Sequence, residues 1–337
     1  MKKLLLGLLV LLFAYLGYHY RSLAYGIKQA AGQIHILLEA EPIDRYLNRH
    51  KLDQSRKDKI AFINEIKQYA IDSLGIEPSG SYEKIYDQKG KPILWVLTAS
   101  PEFELRAYEW VFPIAGSFSY KGYFDHEAVV QEKQKLEKQG LDVDLDEVSA
   151  WSTLGWLNDP ILSSMLDKDS ARLAELIIHE LFHGTVFLKD SIELNENLAS
   201  FVGRKGAERL LKSSGDTALI NKNRLKREKR SQLSLMIMRS AQRLDSLYKT
   251  FDKNQSREKK LRKKQAMIEE IRWKIADKLA DGNLISTEQH YLNFRPNNAY
   301  FTGYLTYRSK GDQFERELTE QFDGDIVRFI AHYKAIN

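Results

Sequence analysis

Two histidines four residues apart on an apolar helix constrain this chain more than any other feature. Leu173, Leu176, Ile177 and Leu181 recur at three- and four-residue steps, which predicts a helix over 170–184 with one apolar stripe. Asp169 or Ser170 can cap its start. Into this helix the sequence sets His179-Glu180-Leu181-Phe182-His183. Residues four apart lie about 40° apart around a helix, so both rings reach one point from one face. Two imidazoles and a carboxylate on an apolar helix are costly to bury without a partner. A metal ion is the partner this spacing fits.

The same spacing is the zinc metallopeptidase pattern. Zinc there lowers the pKa of a water, Glu180 takes the proton, and the resulting hydroxide attacks an amide carbonyl. Glu180 then delivers the proton to the leaving amine. Such sites need a third protein ligand and keep a fourth position open. A second helix is predicted from Asp190 or Ser191 through Phe201 towards Leu211. Glu196, 13 residues after His183, lies on it. Spacing alone leaves Glu193 and Asp190 as competitors. The absence of cysteine excludes disulfides, thiolate ligands and cysteine nucleophiles.

The N-terminus bears on location. Lys2 and Lys3 precede an uncharged apolar run from Leu4 to Tyr18, the order of an export signal. Cleavage after Ala24 is one fate, giving a secreted or periplasmic protein. Retention is the other: a single anchor in a bacterial inner membrane, with Tyr15, Tyr18 and Tyr20 at the interface and Arg21 disfavouring a cut. Both expectations put residues 25 onward in the periplasm or outside the cell.

Further along, 26–75 reads as helical, 76–124 as strands and turns, and 126–139 as helical again. Leu141–Leu145 alternates with period two, as an edge strand does. Residues 221–280 hold 19 Lys or Arg against 7 Asp or Glu, a net of +12 in a chain of +5. Leu233, Ile237, Leu244, Tyr248 and Phe251 form one apolar seam there. Leu261, Ile268, Ile271, Ile275 and Leu279 form another after a polar break at 253–256, so an antiparallel helical hairpin is expected. A basic surface for anionic headgroups is one reading of it, a solvated face the other. Export argues against nucleic acid. The expected fold is α+β and mostly helical, with a small mixed β-sheet beside the metal-binding helix. We divide the chain into a signal or anchor segment (1–24), an N-terminal peptidase part (25–212), the basic hairpin insertion (213–280) and a C-terminal helical part (281–337).

The motif with Asn195-Glu196 resembles the gluzincin group of zinc peptidases, and Leu194-Asn195-Glu196-Asn197-Leu198-Ala199 is close to the pattern around the third ligand of the large zinc aminopeptidases. A nearer resemblance is to the bacterial family of putative aminopeptidases. It is carried in order by Glu41-Pro42-Ile43, Ala99-Ser100-Pro101-Glu102, Trp110-Val111-Phe112-Pro113, Tyr120-Lys121-Gly122-Tyr123-Phe124, Ser152-Thr153-Leu154-Gly155-Trp156, Asp159-Pro160, the metal motif, Asn297-Asn298-Ala299 and Thr306-Tyr307. The resemblance implies a zincin-like core, a Zn2+ cofactor held by His179, His183 and Glu196, and Glu180 as base. It also implies a Tyr or His donor to the tetrahedral intermediate, for which Tyr307 and Tyr304 are the candidates, with Tyr300 and His290 nearby. The Gly-x-Met-Glu-Asn segment that binds the substrate amino group in the large aminopeptidases is absent. The expected activity is hydrolysis of peptides or unfolded polypeptide, with the membrane met through the N-terminal segment. The competing expectation is a non-catalytic, membrane-tethered interaction protein with a structural metal.

Overall fold

The computed structural model describes residues 3, 17–112, 116–148, 153, 157–189, 191–213, 215, 217–280, 286–308 and 310–336, without the side chains of 192, 217–219 and 306–308. The fold is α+β and mostly helical. Residues 4–16, most of the expected anchor, lie outside the described residues. Among the described residues, no helix is long and apolar enough to cross a membrane.

The main core is built on a helix pair. α1 (Tyr20–Glu39), β1 (Glu41–Pro42) and α2 (Ile43–Arg49) lead into α3 (Gln54–Leu74). Asp53 caps α3 through the Arg56 amide. Gly75, at φ 74°, ends it in the left-handed conformation that favours glycine. Ile60, Ile63, Ile66, Ala70 and Leu74 line the buried face of α3 at helical spacing. That face packs on α5 (Ser170–His183), the helix of the histidine motif. Asp169 caps α5 by accepting from the Arg172 amide, as expected from sequence.

Strands make up less of the chain. They comprise β2 (Lys84–Tyr86), β3 (Trp95–Pro101), β4 (Trp110–Phe112), β5 (Gly116–Phe118), β6 (Lys121–Tyr123), β7 (Leu141–Glu147) and β8 (Ile161–Leu162). The sequence suggested one small mixed sheet; the described residues form three sheets. Only β1-β2-β8 is mixed, with β2 antiparallel to β1 and parallel to β8. The sheet β6-β3-β7 is antiparallel and leaves β7 at its edge, and β4-β5 is a separate hairpin. α4 (His126–Lys138) packs against β7 and β3.

α6 (Ile192–Ser213) follows α5 and folds back along it. α7 (Thr217–Lys249) and α8 (Arg257–Ala280) form the basic hairpin. Its seam of Ile237, Leu244, Tyr248, Ile268, Ile271 and Ile275 is buried as one cluster, which Phe301 joins. α9 (Thr287–Asn293) lies on α8, and α10 (Asn298–Arg308) bridges the hairpin, β3 and α6. α11 (Gly311–Phe322) and α12 (Ile326–Ile336) close the main core through Phe314, Phe329 and Ile330.

The hairpin is locked to the sheet by a buried polar network. Lys264, 4% exposed, donates to the Asp142 carboxylate at 2.6 Å and to the Glu102 carbonyl at 2.8 Å. Asp142 also accepts from the Asn298 amide at 2.9 Å. The Asn298 side chain accepts from the Tyr248 hydroxyl and donates to the Pro101 and Glu102 carbonyls. Asn297 donates to the Val143 carbonyl. The Asn297-Asn298 pair is therefore scaffold.

Candidate metal centre

The α5–α6 crossing brings the motif and its third carboxylate together. Leu173, Ala174, Ile177, Ile178, Leu181 and Phe182 bury the far side of α5, which turns His179 and His183 towards α6. The turn between the helices is held by Asn195, whose side chain accepts from the Leu188 amide and donates to the Leu188 carbonyl, both at 2.8 Å. Asn197 donates to the Glu193 carbonyl and accepts from the Lys310 amide. The stretch around Glu196 thus positions the start of α6 at both flanks. Gly203 permits the crossing itself: a Cβ there would lie 2.6 Å from the Glu175 carbonyl and 3.1 Å from the His179 Cβ. Gly206 performs the same service against Leu74 and Ile178.

At the crossing the two Nε2 atoms of His179 and His183 stand 3.2 Å apart. Glu196 offers one oxygen to each ring, at 3.5 Å from His179 and 3.7 Å from His183. The carboxylate of Glu180 is also close, since it and the two rings have ligand atoms all within 4.8 Å. Of the competing acids, Glu193 is half-exposed and faces Lys310 at 3.6 Å, and Asp190 lies outside the described residues. The carboxylate between the rings is that of Glu196.

The rings differ in environment. The His183 side chain is 2% exposed and that of His179 18%. Burial pushes His183 down to about 4, with His179 adding to the shift and Glu196 opposing it. The ring is therefore neutral at neutral pH and has a lone pair for a metal. Burial also pushes His179 down, but its bond to Glu196 and the charges of Glu180, Glu196 and Glu175 outweigh that and hold it above its ordinary value. Burial raises Glu196, and the two imidazoles outweigh it and hold the carboxylate below the usual range. His179 Nδ1 meets the Ser200 hydroxyl at 3.4 Å. His183 Nδ1 is buried with no hydrogen-bond partner among the described residues.

The sequence profile of the family described as “Putative aminopeptidase” matches residues 24–337. The chain belongs to that family. No curated protein and no solved structure matches it. The family description points to a peptidase, and the gluzincin likeness stays a matter of the motif.

In this aminopeptidase-family chain the tyrosines singled out from sequence lie on α10. Tyr304 packs with Tyr300 against the hairpin core. The side chain of Tyr307 is outside the described residues. His290 sits on α9, against the hairpin. Two other tyrosines feel the charges of these acids. Tyr120, in the β5–β6 turn, is raised by burial first and then by Glu196, Tyr25 and Glu180. Tyr82 is buried, and its hydroxyl is raised by burial, Glu180 and Asp159. Tyr82 holds φ at 67°, a left-handed conformation unusual for an aromatic residue. Its amide donates to the Asp159 carbonyl at 2.6 Å. Thr153 spends its amide and hydroxyl on the Asp159 carboxylate. The one sequence signal for Tyr120 was its place in the Tyr120–Phe124 run.

Proposed function

We propose that this chain is a zinc-dependent peptidase acting on peptides or unfolded polypeptide outside the cytoplasm. His179, His183 and Glu196 would hold the metal and Glu180 would act as base. The observation that carries the reading is the convergence of two Nε2 atoms and two carboxylate oxygens at 3.2, 3.5 and 3.7 Å. Bonds of about 2.0–2.2 Å in a tetrahedron set neighbouring ligand atoms about 3.3–3.6 Å apart, so the donor set fits zinc.

Zinc, when bound, supplies a Lewis acid and a water acidic enough to ionise near neutral pH. The chain's residues do the rest. Glu180 holds the attacking water and takes its proton, then returns it to the leaving amine. Tyr120 stays protonated at neutral pH and donates a hydrogen bond to the developing oxyanion. Its coupling to both Glu180 and Glu196 makes it the candidate donor. Location outside the cytoplasm is supported by the Lys2-Lys3 pair followed by the apolar run to Tyr18.

The test is metal content with peptide hydrolysis on the full chain. We expect about one zinc per chain in wild type. Glu180→Gln should keep the zinc and lose roughly 10²–10⁴-fold in kcat. His183→Ala should lose both. Full activity in Glu180→Gln, or no stoichiometric zinc in wild type purified without chelator, overturns the reading.

A further inference from the structure

A cavity of about 580 Å³ lies between α6 and the first half of α7, and the starts of α5 and α11 close its sides. Protein interiors leave few voids larger than a water molecule, whereas ligand pockets hold about 300–1,000 Å³. The walls of this one grow out of the metal centre. Glu196, Ser200, Arg204, Glu208 and Lys212 form one row at steps of four on α6. The first is the carboxylate between the rings, and the others line the cavity. On α5 the row His183, His179, Glu175 and Ala171 likewise runs from the two rings to two lining residues. Ser200 belongs to both places, since its hydroxyl meets His179 Nδ1 at 3.4 Å. The lined stretch of α6, from Asn197 to Lys212, is about 22 Å long at 1.5 Å per residue. The cavity is therefore a trough that starts one turn from the metal ligands and leads away from them under α7.

Its roof is held by charge. No residue of α7 from Ile220 to Met236 is buried, whereas Ile237, Leu244 and Tyr248 beyond them fill the hairpin core. The first half of α7 instead reaches across by ion pairs. Lys226 meets Asp169 at 3.1 Å, Arg230 meets Asp169 and Glu175 at 3.9 and 4.0 Å, and Arg227 meets Glu208. These long, partly exposed side chains hold the helix off an apolar floor of Phe201, Ala207 and Leu211. Pairs of this kind add little to stability and are screened by salt. Both signs of charge recur along the trough. Arg172 and Glu175 stand near the rings, Arg204 faces Glu315 at 3.6 Å further on, and Glu208 and Lys212 follow. A ligand of one sign would be repelled by half of these groups, and an acyl chain would strip them of water without replacing it. An extended polypeptide fits both features. It offers backbone polar groups and side chains of either sign, and about six residues at about 3.3 Å each match the length.

We propose that this trough holds the substrate as an extended, mixed-charge polypeptide segment, so that the hairpin selects long chains over short peptides. The proposal rests on the peptidase reading and adds where the remote part of the substrate lies. Binding energy gathered there is available to the reaction at the metal centre, so losing it lowers kcat as well as raising KM. The test compares a fluorogenic tripeptide with a mixed-charge dodecapeptide carrying the same cleavable core, on the full chain. In wild type kcat/KM should be at least about tenfold higher for the long peptide. Ser234→Trp sets an indole into the trough from the roof and should bring that ratio close to one. Ser231→Trp, an exposed lining position one turn earlier, should do the same and serves if the first variant fails to fold. Binding is read separately by anisotropy of the labelled peptides on the Glu180→Gln chain. The dodecapeptide should bind more tightly than the tripeptide, and adding Ser234→Trp should abolish the difference. Equal rates for both lengths in wild type overturn the trough and leave the peptidase reading standing. A length preference unchanged in both tryptophan variants places the long chain elsewhere and overturns it too. Hydrolysis of neither peptide overturns the peptidase reading, and the anisotropy then decides the trough alone: binding that ignores length or the added tryptophan overturns it.

Discussion

Two regions bury polar groups deeply, and they do so differently. In the hairpin lock, Lys264, Asp142, Asn298 and Tyr248 meet donor to acceptor, and the Asn298 side chain is engaged at both its oxygen and its nitrogen. At the α5–α6 crossing, ring nitrogens face one another and a carboxylate, and His183 Nδ1 has no hydrogen-bond partner among the described residues. Burial is costly in both places. Where the protein itself completes the set, the cluster is scaffold. Where a buried ring nitrogen is left over, as at His183 Nδ1, the described residues do not close the set, and the proposed metal site rests on that difference. The comparison separates Asn297-Asn298 from Asn195-Glu196, two Asn-containing pairs that look equally suggestive as sequence.

The largest effect should come from breaking the scaffold. Lys264→Met leaves Asp142 buried without its cation, which should cost about 3–5 kcal/mol in urea unfolding. Lys264→Met with Asp142→Leu should recover much of that loss. Equal losses in the single and double variants would break the comparison. Next is Gly203→Ala, which should cost about 1–3 kcal/mol by overpacking the crossing. It should also weaken zinc binding in chelator competition, because Glu196 sits on the helix it displaces. Unchanged zinc affinity would detach Glu196 from the site.

A smaller effect is expected at Ser200→Ala. Removing the neighbour of His179 Nδ1 should weaken zinc affinity by about tenfold with little change in melting temperature. A shift in melting temperature without a change in affinity would assign Ser200 to scaffold. The smallest is a pH effect at the sheet edge. Burial, with Asp146 beside it, raises Asp144 to about 6. A carboxyl raised in the folded state destabilises when ionised, so its cost is present above that pH and fades as pH falls towards its unfolded value. Asp144→Asn should therefore stabilise the protein at pH 7 and hardly at all at pH 4. Equal gains at both pH values would place the effect in packing.

Local patterns were legible. The α5 helix, its Asp169 cap, the two histidines on one face and the hairpin seams all follow from side-chain periodicity within a turn or two. What brings distant segments together was not. Tyr120 lies 76 residues before Glu196 in the chain, and no local period links them. Tyr300 and Tyr304 shared a helical face as expected, but the face they share packs on the hairpin.

The sequence by itself determined that the side chains of His179, Glu180 and His183 come together, because a helix fixes the relative direction of positions 179, 180 and 183. Spacing left Glu193 and Glu196 open and the family resemblance implied Glu196; the tertiary structure decided that Glu196, and not Glu193, stands between the rings. That outcome rests on a glycine-permitted crossing and an asparagine-held turn, contacts between helices that no single helix encodes.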